Sequence, residues 1–181
     1  MKKSILFFGV CMAIILFSDC SSKSKKDDSV NERLNDSITI IKIPDANFKT
    51  YLLENFDDNK DGNISLLEAK AVKEINCSGK NIKSLAGIEN FKNLESLDCS
   101  NNEMDDVELQ YNRKLNKLVC TGNNVPFMLY IGMSSPLRNP KLQKPAPGEP
   151  PKDVTSATQM LDESKCTYDH DKTNIYLTFN D

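Results

Sequence analysis

A short repeat marked by cysteine governs how this chain can fold. "VKEINCSGKNI" from Val72, "LESLDCSNNEM" from Leu94 and "LNKLVCTGNNV" from Leu115 align without gaps, and Cys77, Cys99 and Cys120 stand 22 and 21 residues apart. Apolar residues recur at matching offsets: Val72, Ile75, Cys77 and Ile82; Leu94, Leu97, Cys99 and Met104; Leu115, Leu118, Cys120 and Val125. At the centre of each copy apolar and polar residues alternate, the period of a strand with one buried face. A single unit of this size cannot bury that face alone, whereas stacked units share a continuous core.

The spacing is the L-x-x-L-x-L-x-x-N-x-L pattern of leucine-rich repeats, with cysteine at its third apolar place. Asn102 and Asn123 take the asparagine place, and Lys80 replaces it in the first copy. The expected fold is therefore α/β: a short solenoid of about three repeats over residues 72–133, with parallel strands. Leu85, Ile88 and Phe91 are expected to fill the return segment of the first repeat, Val107 and Leu109 that of the second, with Met128 and Tyr130 continuing the phase. The strand positions opposite the core residues are Glu74, Asn76 and Ser78, then Ser96, Asp98 and Ser100, then Lys117, Val119 and Thr121. They form one candidate binding face. The face is polar and has no aromatic anchor, so simple solvation accounts for it equally well. The stacked cysteines are too far apart in sequence for a CxxC-type zinc site and read as small buried hydrophobes; Cys166 finds no place in the repeat.

Directly before the repeats stands "DDNKDGNISLLE", residues 57–68. Asp57, Asn59 and Asp61 occupy positions 1, 3 and 5 of a twelve-residue loop. Gly62 is at position 6, Asn63 offers a carbonyl at 7, Ser65 stands at 9 and Glu68 at 12. Such an all-oxygen set suits Ca²⁺, which takes six to eight oxygen ligands, and the spacing is that of an EF-hand. "IPDANFKTYLLENF" supplies a preceding helix with Asp45 as N-cap, and "SLLEAKAVKE" a following one with a Ser65–Glu68 capping box. An Asp/Asn/Gly-rich turn with a capping box is the alternative that needs no metal. A second loop at "DHDKTNIYLTFN" fails, because Asn174 and Asn180 stand where Gly and Glu are needed. The helix-loop-helix unit, residues 43–71, is therefore expected to cap the repeats and to pack on the first strand in place of a partner hand.

The ends differ in character. Lys2, Lys3 and the apolar run Ile5–Phe17 form a secretory signal that ends at "LFSDC". Residues 1–19 resemble a bacterial lipoprotein signal, which implies lipid attachment at Cys20. Asp19 departs from the small residue usual before such a cysteine. Residues 20–42 are polar and charged and are expected to be a flexible tether. Lys25, Lys26, Asp27 and Asp28 resemble a surface-export signal. Prolines concentrate in residues 134–160, which read as a linker. Residues 161–181 carry the alternation Ile175, Leu177, Phe179 and read as a strand, or as a hairpin with Cys166 to Tyr168.

Residues 43–131 as a whole resemble the short, internalin-like leucine-rich-repeat surface lipoproteins of Gram-negative bacteria. The resemblance rests on "IPDANF", the D-x-N-x-D-G loop and the "LDCSNN" unit together. It implies a non-enzymatic binding or adhesion module with a protein or glycan ligand, lipid-anchored in the outer membrane and facing outward. A calcium-dependent docking module, loosely like dockerins, is the alternative. A net charge of −3 gives no basic surface for nucleic acid. The chain's single histidine, His170, leaves no Ser/His/Asp or Cys/His set for nucleophilic catalysis.

Overall fold

The computed structural model describes residues 25–132, 134–138, 161–169 and 173–178. Residues 1–24, which include the expected signal segment and Cys20, most of the Pro-rich stretch, His170 and Phe179 lie outside the described residues.

Three helices come first: α1 (Lys25–Ile38), α2 (Ala46–Phe56) and α3 (Leu66–Ala71). Strands β1 (Glu74–Asn76), β2 (Ser96–Asp98), β3 (Asp106–Glu108), β4 (Lys117–Val119), β5 (Phe127–Gly132), β6 (Cys166–Thr167) and β7 (Thr173–Thr178) follow. They form two parallel sheets, ordered β1-β2-β4-β6 and β3-β5-β7. From β2 onward the chain visits the two sheets alternately. This is a mixed α/β architecture in which all named strand pairs are parallel.

Register explains why the repeat folds this way. Ile75, Leu97, Leu118 and Cys166 lie opposite one another across the first sheet. Val107, Leu129 and Ile175 do so across the second. Ile75, Leu97, Leu118, Val107 and Leu129 are all buried in one continuous core. The turns leaving the first sheet are held by asparagine. Asn102 Oδ1 accepts from the N–H groups of Lys80 and Ile82, both at 3.0 Å. Its Nδ2 donates to the carbonyls of Cys77, Cys99 and Ser100 at 3.0, 3.1 and 3.1 Å. Asn123 repeats the arrangement one unit on, donating to Cys99 and Cys120 carbonyls at 3.2 and 3.0 Å. Backbone groups that turn away from the ladder inside the core are thereby satisfied.

The helical unit docks on the first repeat. Phe48, Tyr51 and Leu52, spaced along one face of α2, are buried. Asp45 caps α2 through Oδ1, which accepts from Phe48 N–H at 2.8 Å, while its Oδ2 accepts from Lys83 N–H at 2.9 Å. One carboxylate thus ties the helix start to the first turn of the repeats. Asn76 N–H on the edge strand β1 donates to Tyr51 Oη at 3.0 Å. Burial pushes the Tyr51 phenol up, so it stays protonated.

Several sequence expectations need correction. Residues 25–38 are helix, not flexible tether, and Asp36 on α1 is buried against Lys70 of α3 at 2.7 Å. Composition favoured disorder, but a paired charge and Leu66 N–H donating to Thr39 C=O at 2.7 Å anchor this segment. In β5 it is Phe127, Leu129 and Ile131 that are buried, not Met128 and Tyr130. "FMLYIG" is apolar on both faces, so its phase comes from pairing Val107 with Leu129. The C-terminal segment is no hairpin: β6 and β7 belong to different sheets, each parallel to its neighbour. Cys166 gains its place here, as the fourth member of the Ile75–Leu97–Leu118 row. The Pro-rich stretch is therefore an insertion between β5 and β6 rather than the end of the strand array.

The four described cysteines are buried and free. Burial pushes the Cys77 and Cys166 thiols up to about 12, and Cys99 and Cys120 shift in the same direction. The neutral thiol is the folded form, while the unfolded thiol ionises near its ordinary value of 9.0. Their contribution is therefore complete below that pH and is lost as pH climbs from about 9 toward 12. Urea titrations from pH 7 to 10.5 should show the midpoint falling above pH 9, with the fall reduced in Cys77→Ala.

Candidate functional site

Two groups of residues compete for the role of functional site, and the structure sets them side by side. The first is the loop between α2 and α3. Asp57 closes it: its Oδ2 accepts from Gly62 N–H at 3.0 Å and its Oδ1 from Asp61 N–H at 3.2 Å. Asn59 Oδ1 accepts from Asp61 N–H at 2.9 Å, and Asp61 Oδ1 from Asn63 N–H at 2.8 Å. Gly62 makes the sharp turn at φ 78°, where a side chain would be strained. Lys60 also adopts a positive φ, at 58°.

Glu68 is buried and reaches back across the loop. Its Oε1 accepts from Asp58 N–H at 3.0 Å and Asn59 N–H at 3.4 Å. Its Oε2 accepts from Ser65 N–H at 2.8 Å and Ser65 Oγ–H at 2.7 Å. Ser65 Oγ in turn accepts from Glu68 N–H at 3.2 Å, which completes the capping box. The donor set of the loop is all oxygen and carries three carboxylates, which suits a hard divalent cation. Among the described residues, however, no group of three or more His, Cys, Asp or Glu converges in a metal-holding arrangement. Asp57 and Asp61 gather around the loop amides, while Glu68 satisfies its own cap.

The loop also has a backbone partner. Ile64, at position 8, is buried, and its carbonyl accepts from Ile41 N–H at 2.9 Å. Ile40 and Ser65 form an antiparallel bridge. The strand contact that a second loop would have made is supplied by residues 39–41 of the chain itself. Sequence reading placed these residues in the tether. Their β-branched run "TIIKI" was the signal that could have found them.

The second group is the outer face of the β1-β2-β4-β6 sheet. Glu74, Asn76 and Lys117 are exposed, and Ser78, Ser96, Asp98, Val119 and Thr121 are half-buried. Parallel register brings Glu74 level with Ser96 and Lys117, and Asn76 level with Asp98 and Val119. Ser100 is only 5% exposed and belongs to an internal network. Its Oγ–H donates to Asp98 Oδ1 at 2.6 Å and lies 2.9 Å from Ser78 Oγ. This fixes the Asp98 carboxylate in the middle of the face. The loop and the face meet at a cleft of about 280 Å³ lined by Phe56, Asp58, Glu68, Val72 and Glu74 among others.

No family model and no curated protein matches the sequence. Among solved structures, the chain is similar to the CBM51-2 and INT domains of Clostridium perfringens ZmpB. With GlcNAc bound, that structure gives 31% identity over 58% of this chain and 22% of the other, at a TM-score of 0.40. Without the sugar, the figures are 31%, 58%, 23% and 0.40. This chain therefore spans less than a quarter of those proteins.

Proposed function

We propose that this chain is a non-enzymatic binding module of the bacterial cell surface, built as a short leucine-rich-repeat solenoid. The observation that supports it most is the ladder β1-β2-β4-β6. Its inward residues are buried in register, while Glu74, Asn76, Ser96, Asp98, Lys117 and Val119 stand in ordered rows on the open side. Polar rows on a rigid sheet suit a protein or glycan ligand recognised by hydrogen bonds. Capture of ligands from bacterial or host surface extracts tests this. A Glu74→Lys, Lys117→Glu variant, changed at two exposed positions of the face, should lose capture without loss of fold; unchanged capture removes the face from consideration.

The loop at 57–68 would hold one Ca²⁺ through Asp57, Asn59, Asp61 and Glu68, with the Asn63 carbonyl and Ser65 completing the shell. When bound, the ion crosslinks α2 to α3 and so stiffens the lid over β1. Calcium at a hundredfold excess over its Kd should stabilise the fold by about 2.7 kcal/mol. Thermal melts with calcium and with chelator measure this, and Asp57→Ala, Asp61→Ala should abolish the response. Equal melting temperatures with and without calcium would remove the metal from the account. Docking through the helices is the competing use of this unit. It is disfavoured by the burial of Phe48, Tyr51 and Leu52, the apolar face of α2, inside the chain's own core. Loss of capture in the loop variant alone, with its melt unchanged, would reinstate it.

Cys20, outside the described residues, is the proposed lipid attachment point that tethers the module to the outer membrane, facing outward. Detergent phase partition of wild type against Cys20→Ser tests the anchor, and protease accessibility on intact cells tests the orientation.

A further inference from the structure

Strand β3 has one paired edge and one open edge. Toward β5 it is engaged: Met128 N–H donates to Asp105 C=O and Leu109 N–H donates to Tyr130 C=O, both at 2.8 Å. In a strand, alternate residues turn their backbone groups to opposite sides. Asp106 and Glu108 therefore present N–H and C=O away from β5. No described strand lies on that side. The neighbouring segment leaves the strand path, because Gly87 turns at φ 108° and Ile88–Asn90 winds into a 3-10 turn. A Cβ on Gly87 would stand 3.0 Å from Lys42 C=O, so this turn is tightly held.

What remains is a cleft of about 400 Å³ between residues 84–89 and β3. Along the chain it runs from Glu103 N–H, which donates to Ile82 C=O at 2.9 Å, to Asn112, whose Nδ2 donates to Ile88 C=O at 2.8 Å. One unit further on, the equivalent space beside β3 is filled by β5. The floor of the cleft is apolar, with Ile88 and Val107 buried. Its walls carry Tyr111, 40% exposed, and the carboxylates of Glu89, Asp106 and Glu108. None of these three carboxylates is in an ion pair among the described residues. Lys92 lies over the Tyr111 ring, 5.1 Å from its centroid.

We propose that this cleft binds an extended basic segment of another protein as an added strand on β3. The incoming backbone pairs with Asp106 and Glu108, and its alternate Lys or Arg side chains lie among the three carboxylates. A short stretch of about three residues, near 10 Å long, matches β3. Backbone pairing supplies affinity and the acidic walls supply selection for basic sequences. The site is separate from the polar face of the other sheet, so its failure would leave that reading intact.

The test is fluorescence anisotropy with a labelled alternating Lys-Val peptide, a Glu-Val peptide, and two Lys-Val peptides N-methylated in alternate phase. The Lys-Val peptide should bind saturably. The Glu-Val peptide and one of the N-methylated peptides should bind roughly tenfold weaker or worse. Asp106→Asn, Glu108→Gln should cause a similar loss, and Asp98→Asn on the other sheet should cause none. Both positions of the double variant are exposed, so its melt should match wild type. Absence of saturable binding overturns the proposal. So does full binding by both N-methylated peptides, which would mean charge attraction without strand pairing, or a loss confined to Asp98→Asn.

Discussion

Replacing Asn102 with alanine is expected to lower the unfolding free energy by about 3–5 kcal/mol. The side chain is 7% exposed and spans two units. It accepts from Lys80 and Ile82 N–H and donates to the Cys77, Cys99 and Ser100 carbonyls. Alanine fills none of these roles, and each buried group left without its partner costs about 1–3 kcal/mol before relaxation. Asn102→Asp tests the donor half separately, since it keeps the acceptor oxygen and loses Nδ2. Asn123→Ala provides the comparison: its side chain is half-buried and its acceptor contact, from Met104 N–H, is 3.3 Å. Urea denaturation should rank the variants wild type, Asn123→Ala, Asn102→Ala in falling midpoint. An Asn102→Ala midpoint equal to that of Asn123→Ala would mean that the buried ladder does not carry the turns.

Phe91→Ala should cost about 3–5 kcal/mol through the cavity it leaves. Phe91 is fully buried and belongs to the same core as Leu94, Leu97 and Leu109. Its own backbone is also committed, with N–H donating to Ile88 C=O at 3.0 Å and C=O accepting from Asn112 Nδ2 at 3.1 Å. The neighbours therefore cannot collapse freely into the space. Phe91→Leu should recover most of the loss. Differential scanning calorimetry measures both, and a Phe91→Ala melting temperature within a degree or so of wild type would refute the packing role.

The two effects act at different places in one architecture. Asn102 secures the turns by which the chain leaves the first sheet. Phe91 fills the space beneath the first return segment, where a 3-10 turn replaces a strand. That replacement has a functional side, because it leaves the second edge of β3 open. The N-terminal unit covers the opposite liability. It places Tyr51 Oη on the edge amide of Asn76, so β1 does not offer that N–H to another chain.

Local periodicity alone determined much of this. Alternation placed Ile75, Leu97, Leu118 and Cys77, Cys99, Cys120 inward, and all six are buried. Asp45 and Ser65 read as helix caps and act as caps, because capping is settled within three residues of sequence. In the loop 57–68, Glu68 answers Ser65 and the amides of Asp58 and Asn59. What depended on tertiary structure was every choice between partners far apart in sequence. Thr39–Ile41 pairs with the loop, α1 folds back onto Lys70, and β6 joins β4 across 47 residues, the separation of Cys120 and the Thr167 carbonyl that accepts its N–H at 2.9 Å. Such pairings depend on register and on which edge remains free, and neither is encoded in a local period. A polar, charged stretch looks unfoldable until a partner such as Lys70 is placed beside its buried Asp36. An apolar strand such as "FMLYIG" has no inward face until a neighbour assigns one.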